Sequence, residues 1–332
     1  MCQKIDIVIP WVDGKDINWI REKRKYQLEN CKDVDDNEHR YRDWENLQYI
    51  FRGIEKYAPW VNNVYFVTWG HLPDWLNIEH PKLKVINHKD YIPKEYLPTF
   101  SANPIELNLH RIQGLEEKFI YFNDDTFLIN KVSPSDFFIE DKPCDSAILN
   151  VHCYDFEKMN ILTPFVDIGV INKHFSMHDV LKRERKKWFS LKYGKYLLRN
   201  IIFQMCPRFP GILQPHLPNA FLKSTYKKIW ELEPELLHQT CTNKFRNKLD
   251  VNQWLIREWQ LVSGTFVPRK VEMGKSMYAY DYENVCNCIM KSKDKFICIN
   301  DSFMTEDEYL NAKEIINNCF IEKFPIKSSF EL

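Results

Sequence analysis

The feature that most narrows the fold is a regular alternation of short apolar runs and amphipathic stretches across residues 1–150. Ile5 to Val12 reads as a buried strand, ended by Asp13-Gly14. Residues 43–58 (DWENLQYIFRGIEKYA) place Leu47, Ile50, Phe51, Ile54 and Ala58 at helical spacing, and Pro59 stops that helix. Val64 to Thr68 and Leu83 to Ile86 read as further strands. Asn103-Pro104-Ile105-Glu106 has the form of a helix start with Asn103 as N-cap, which predicts one helix with Ile105, Leu109 and Ile112 on its apolar face. Phe119 to Phe122 is a strand that runs into Asn123-Asp124-Asp125. This alternation predicts an α/β, Rossmann-like layer built on a mainly parallel sheet. Ligands of such sheets bind beyond the carboxyl ends of the strands. Asp13 and Asp124-Asp125 both follow a strand, so that edge could bring the two acidic corners together.

The later part of the chain reads as mostly helical. Residues 220–238 and 250–262 are helical in pattern, and Thr305-x-x-Glu308 is a capping box that opens a helix through about Phe320. Residues 182–199 (KRERKKWFSLKYGKYLLR) stand apart, because eight Lys/Arg and one Glu give a local charge of +7 interleaved with aromatic residues. Such a segment reads equally as a solvated helix face or as a surface for anionic lipid heads.

Composition closes several routes to function. Lys+Arg and Asp+Glu both number 46, so the chain lacks the basic excess of a nucleic-acid coat. Only 9 residues are glycine, and neither GxGxxG nor GxxxxGK[ST] occurs, which argues against glycine-cradled dinucleotide or P-loop chemistry. No run approaches the ~18 apolar residues of a membrane span. The N-terminal segment reads as a strand rather than a signal peptide, so the 10 cysteines, with no CxxC pair, are expected as reduced thiols in a cytoplasmic protein. The spacing of Cys286, Cys288 and Cys298 is a weak zinc signal.

The residues suited to chemistry are few. Asn123-Asp124-Asp125 is the sharpest signal: paired carboxylates after a strand suit Mg²⁺ or Mn²⁺, which prefer hard oxygen ligands and bridge to a diphosphate. The same tripeptide also suits a plain turn. Asp13, in Trp11-Val12-Asp13-Gly14, shares that ambiguity. Arg40 and Arg42, before the first strongly periodic helix, suit a phosphate or a surface ion-pair patch. Glu106 and His110 stand four apart on the expected helix, with Arg111 beside them. His216 lies in Pro215-His216-Leu217-Pro218, a proline-held loop that can aim an imidazole as general base.

Four stretches together resemble the conserved blocks of the Stealth proteins, sugar-phosphate transferases of bacterial capsule synthesis related to eukaryotic GlcNAc-1-phosphotransferase. IDIVIPWVDGKD is similar to the first block, and RYRDWENLQYIFRGIEKYAPWVNNVYFVTWGHLPDWLN with LPTFSANPIELNLHRIQGLEEKFIYFNDDTFL to the long second. HLPNAFLKSTYKKIWELEPE with TNKFRNKLDVNQW resembles the third, and KDKFICINDS the fourth, so the likeness runs from residue 5 to about 302. Asn108 stands where many relatives have His, and Trp44 where relatives often have Asn.

The resemblance implies a nucleotide-sugar-binding α/β core over residues 1–150 and a mostly helical portion over 151–332 that completes the site, the whole being compatible with one catalytic domain. It implies transfer of hexose-1-phosphate from a UDP-sugar to a glycan hydroxyl, with release of UMP. His216 is then the candidate base. Asp124 and Asp125, with Asp13, would hold a divalent cation or orient the donor. Trp11, Gly14, Arg40, Arg42, His110, Arg111, Asn123 and Arg246 would surround the donor and its diphosphate. Glu106, Asp250 and Asp301 would orient groups or meet the acceptor. The acceptor is expected to be lipid-linked, with the basic segment at the inner face of the bacterial plasma membrane. A glycosyltransferase releasing UDP and a non-catalytic sugar-binding module are the alternatives.

Overall fold

The computed structural model describes residues 4–29, 42–153 and 162–332; Arg40 lies outside them. The strands β1 (Asp6–Pro10), β2 (Val64–Thr68), β3 (Leu83–Asn87) and β4 (Lys118–Tyr121) run parallel in the order β3-β2-β1-β4. The strand Asn219–Leu222 extends the sheet antiparallel to β4. Side chains of a strand alternate between faces, and here both faces are covered, so the strands read as continuous apolar runs. Ile7, Ile9, Phe66 and Ile120 enter one core, while Val8, Tyr65, Val67, Phe119 and Tyr121 enter the other.

Helix α1 (Ile17–Glu29) follows β1, and α2 (Gln48–Tyr57) covers the first face. Helix α2 turns Ile50, Phe51 and Ile54 inward. The C-terminal helix Glu306–Lys323 packs beside it, with Tyr49 and Phe320 stacked at 5.1 Å between ring centroids. The opposite face is covered in part by the helix Gln253–Val262, whose residues from Gln253 are largely buried. A smaller sheet joins β5 (Thr126–Leu128) antiparallel to Phe296–Asn300, which is parallel to Gly274–Tyr278. Gly274 is required at that contact, because a Cβ there would lie 2.4 Å from the Phe296 carbonyl oxygen.

Three expectations change. The helix near residue 103 is Ala102–Leu107, capped by Ser101 rather than Asn103. It ends at Asn108, whose Nδ2 donates to the Pro104 carbonyl, and a separate 3₁₀ turn follows over Leu109–Arg111. Residues 219–222 form a strand, because pairing with β4 outweighs the helical pattern of the run that follows; helices Lys223–Leu232 and Pro234–Thr242 come next. The basic segment is broken into short turns around wholly buried Trp188 and Tyr193. Several of its cations are engaged within the protein: Lys187 with Glu184, Lys195 with Glu272, and Arg199 with Asn150. The capping box opens its helix as expected, Thr305 and Glu308 bonding reciprocally.

The loop that carries His216 is fastened from below by the helix Gln253–Val262. Arg257 is fully buried and grips Asp145 through Nε (2.7 Å) and Nη2 (2.9 Å), while Nη1 donates to the Leu213 carbonyl at 2.8 Å. Beside it Gln214 Nε2 donates to Glu258 Oε1 at 2.9 Å. Burial pushes the Glu258 carboxyl up to about 7, and burial with the nearby Glu258 charge raises Asp167 further. Removing one partner of a buried ion pair leaves the other charge uncompensated. Arg257→Met is therefore expected to lower unfolding free energy by about 3–5 kcal/mol in denaturant titration; a loss below about 1 kcal/mol would contradict the assignment.

Glu258 works against stability at high pH. An acid whose folded-state pKa is raised leaves stability intact below its unfolded value near 4.5 and erodes it as pH climbs toward and past about 7. Glu258→Gln should raise the melting temperature by roughly a few degrees at pH 8 and leave it nearly unchanged at pH 4. An equal loss at both pH values would show that the carboxyl is needed for packing instead.

Candidate active site

Strand β1 has β2 on one side and β4 on the other, so the chain direction of successive additions reverses beside it. At such a switch point the loops after neighbouring strands diverge and leave a crevice. Here the crevice is a cavity of about 810 Å³, and Asp13 after β1 and Asp124-Asp125 after β4 both line it. Trp11, Gly14, Arg42, Glu106, Asn123, His216, Arg246 and Asp301 line it as well.

The first corner is locked locally. The Asp13 N–H donates to His71 Nε2 at 2.7 Å, and Asp13 Oδ1 accepts from Lys15 N at 2.8 Å. Asp16 Oδ1 accepts from Trp19 N at 2.7 Å and starts α1. Burial lowers the His71 pKa, which keeps the imidazole neutral and its Nε2 able to accept.

The second corner carries crowded charge. Asp124 opens onto the cavity, yet the surrounding walls desolvate its carboxyl and Asp125 adds repulsion, which together push it up to about 7. Asp125 Oδ1 accepts from Thr126 Oγ1 at 3.1 Å, and its carbonyl accepts from Ile299 N at 2.9 Å, joining the corner to the small sheet.

His216 is held from both sides. Its Nδ1 lies 2.8 Å from Asn300 Oδ1, and its Nε2 lies 2.6 Å from Asn123 Nδ2. The Asn300 amide is oriented by its other end, since Nδ2 donates to the Met277 carbonyl at 3.1 Å and to Ser276 Oγ at 2.7 Å. With a carbonyl as acceptor, the amide nitrogen faces Met277 and the oxygen faces His216. Nδ1 therefore bears the proton in the neutral ring, and Nε2 presents the lone pair.

Arg42 reaches the cavity from the other wall. Its guanidinium lies over the Tyr309 ring at 4.9 Å, and Nη2 donates to the Met304 carbonyl at 3.2 Å. Nη1 is 3.8 Å from Asp301 Oδ1 and, among the described residues, has no hydrogen-bond partner, which leaves a buried donor facing the cavity. Arg246 is exposed at the cavity wall. Glu106 is buried, accepting from the Tyr121 hydroxyl at 2.8 Å and from Gln253 N at 3.3 Å, and burial raises its pKa. Asp250 lies behind the lining and accepts from Asn103 Nδ2 at 3.1 Å and Asn243 Nδ2 at 2.7 Å, fixing the cavity-lining Asn103.

His110 and Arg111 are not brought to the cavity. The break at Asn108 turns them outward onto the helix Lys223–Leu232, where His110 stacks on Tyr226 at 5.7 Å and Arg111 lies 4.8 Å over Trp230. Burial, with the Arg111 charge next, pushes the His110 imidazole down to about 3. Conversely, His71 carries no sequence signal, and Asn300, which with Asp301 matches the fourth block, has no role that the sequence assigns.

The donor set fits a hard divalent cation at Asp124 and Asp125, because a bound cation offsets the desolvation and the repulsion that together raise Asp124. Asp125, His216 and Cys298 also have ligand atoms within 4.8 Å of one another. That trio fits Mg²⁺ or Mn²⁺ poorly, since both His216 nitrogens are already engaged and burial raises the Cys298 thiol pKa.

A mostly parallel sheet with an acidic, arginine-flanked cavity at its switch point defines an α/β protein whose candidate site lies at the carboxyl ends of its strands. The chain belongs to the Stealth family. Residues 3–31 match Stealth protein CR1, conserved region 1, and residues 40–145 match Stealth protein CR2, conserved region 2. It is 43% identical to the capsular polysaccharide phosphotransferase WcwK of Streptococcus pneumoniae, covering 99% of this chain and 98% of that protein. It is 39% identical to the exopolysaccharide phosphotransferase cps2G of Lactiplantibacillus plantarum, over 98% and 96% of the two chains. Among solved structures, the galactosyltransferase LgtC with donor and acceptor sugar analogs aligns over 98% of each chain, with a TM-score of 0.40 and 8% identity.

Asp124→Asn and Asp125→Asn are each expected to weaken Mn²⁺ binding at least about tenfold, read by electron paramagnetic resonance of free Mn²⁺. Native-like Mn²⁺ affinity in both variants would remove the cation from this corner.

Proposed function

We propose that this protein transfers hexose-1-phosphate from a UDP-sugar to a hydroxyl of an acceptor glycan and releases UMP. The observation that carries the reading is the convergence, on one cavity, of a doubly held imidazole, a carboxylate pair and the open Nη1 donor of Arg42. The kinship with proteins named capsular and exopolysaccharide phosphotransferases supports it.

In this reading the acceptor hydroxyl enters beside His216 Nε2, displacing the contact with Asn123. Nε2 takes the hydroxyl proton as the oxygen attacks the β-phosphorus of the donor. The bond from that phosphorus to the oxygen bridging the two phosphates breaks, and UMP leaves with the bridging oxygen. The new bond completes a phosphodiester, and the anomeric C–O bond stays intact. Arg42 and Arg246 face the charge that builds on the phosphoryl oxygens, and such transfer depends mainly on alignment and charge neutralisation. Asp301, beside Arg42, steers its guanidinium. Trp11 and Gly14 form the wall behind the donor. A divalent cation on Asp124 and Asp125 would supply further neutralisation at the diphosphate.

The acceptor is proposed to be lipid-linked. The surface that would meet the membrane is the one where Leu191, Leu198, Ile201 and Ile202 stand exposed near Lys182 and Lys186 in sequence. No described helix is long and apolar enough to cross a membrane.

A screen of UDP-sugars with chromatography of the nucleotide product tests the reaction: UMP is expected, and UDP as the primary product would move the attack to the anomeric carbon. His216→Ala should lose roughly 10²–10⁴ in kcat with the donor KM little changed, the usual scale for a positioned acid–base group. Near-native turnover in that variant would leave the base unassigned to His216.

A further inference from the structure

The cavity opens past a rim of aromatic rings that the reaction outlined above does not use. Tyr278 ends the strand Gly274–Tyr278, lines the cavity and is 53% exposed. Tyr280, two residues on, is 57% exposed, and the two rings stack with centroids 5.5 Å apart and planes 10° from parallel. Phe303, beyond the neighbouring parallel strand Phe296–Asn300, also lines the cavity and is 80% exposed. A single exposed aromatic ring needs no explanation, but Tyr278 and Tyr280 form a stacked pair at the carboxyl end of one small sheet, where Tyr278 lines the cavity.

Their register fixes where the rim lies relative to His216. Tyr278 is the direct partner of Asn300 across the parallel pair, and Asn300 is the residue that holds His216 Nδ1. Paired residues on adjacent strands are about 4.8 Å apart, so the stacked tyrosines begin one strand away from the residue that orients the imidazole. Arg42 comes from before α2 and meets Asp301 and Met304, on either side of Phe303, so Phe303 belongs to the phosphate-binding wall and the stacked tyrosines do not. A group resting on the rim would approach His216 from the small sheet rather than from the phosphate-binding walls.

We propose that this rim is the acceptor subsite, and that the stacked Tyr278 and Tyr280 receive a sugar ring of the acceptor glycan. A pyranose offers a face of C–H groups, while its hydroxyls point outward around the edge. The negative face of an aromatic ring attracts such C–H groups, and the outward hydroxyls remain free, one of them for His216. The ligand class is a neutral hexopyranoside within a longer glycan. The inference rests on the phosphotransferase reading for the use of that hydroxyl, but binding at the rim can be observed without turnover.

The test uses methyl hexopyranosides and methyl lactoside as probes, observed by saturation-transfer difference NMR on the full chain. The native protein should saturate C–H protons on one face of at least one probe. Tyr278→Ala and Tyr280→Ala should weaken that probe's affinity roughly tenfold, while Tyr278→Phe, which keeps the ring, should stay within about twofold. Thermal melting of each variant confirms that the exposed ring was removed from a folded chain. UDP-sugar affinity, measured in parallel, should move less than about twofold in the same variants. Absence of saturation for every probe, or unchanged probe affinity in both alanine variants, would overturn the subsite. A larger loss of UDP-sugar affinity than of probe affinity would also overturn it, by assigning the rings to the nucleotide. UDP instead of UMP in the donor screen would fail the phosphotransferase reading while leaving the sugar-binding result standing.

Discussion

The site depends on one constraint: the central strands β1, β2 and β4 are buried on both faces, so their polar groups emerge only at their ends. Ile7, Val8 and Ile9 illustrate it, since successive side chains of β1 enter opposite cores and leave no polar position until the strand is over. The same holds for β4, where Phe119, Ile120 and Tyr121 are buried and the chain turns polar at Asn123. Because β1 and β4 are parallel neighbours, their polar ends share an edge, with Asp6 opposite Phe119 at the start of the register. The meeting of the two acidic corners follows from strand direction and pairing, without any direct bond between them.

A second sheet completes what the first begins. The main sheet supplies Asn123, and the small sheet supplies Asn300; His216 spans the gap between them. The small sheet is tied to the acidic corner through the bond from Ile299 N to the Asp125 carbonyl. From beneath, Arg257 and Glu258 fasten the loop through Leu213 and Gln214. The imidazole is thus oriented by groups far from it in sequence, and its tautomer is set by the Met277 carbonyl acting through the Asn300 amide. Such a chain of fixed dipoles is the preorganisation that the proposed proton transfer to His216 would need.

Much of this was legible in the sequence where the signal was local. The run VYFVT is bounded by polar residues and a turn, and the strand falls where the pattern places it. Thr305 and Glu308 cap their helix because both partners lie within one turn. Local signals failed where pairing at a distance decided the outcome. The four residues of Asn219–Leu222 are too few to separate strand from helix by periodicity, and only β4 makes them a strand. Spacing puts His110 with Glu106 on one helix face, but the buried Asn108 amide ends that helix and turns His110 away. Asn300 acts on a histidine 84 residues earlier, and no spacing rule encodes such a contact.

The proposed reaction breaks the bond between the two phosphates and leaves the bond at the anomeric carbon intact. A donor labelled with ¹⁸O between the anomeric carbon and the β-phosphorus tests it most directly, with mass spectrometry of both products. Attack at phosphorus guided by His216 predicts that all of the label enters the phosphodiester of the glycan and none appears in the nucleotide. Label recovered in the terminal phosphate of released UDP would contradict it and make the protein a glycosyltransferase.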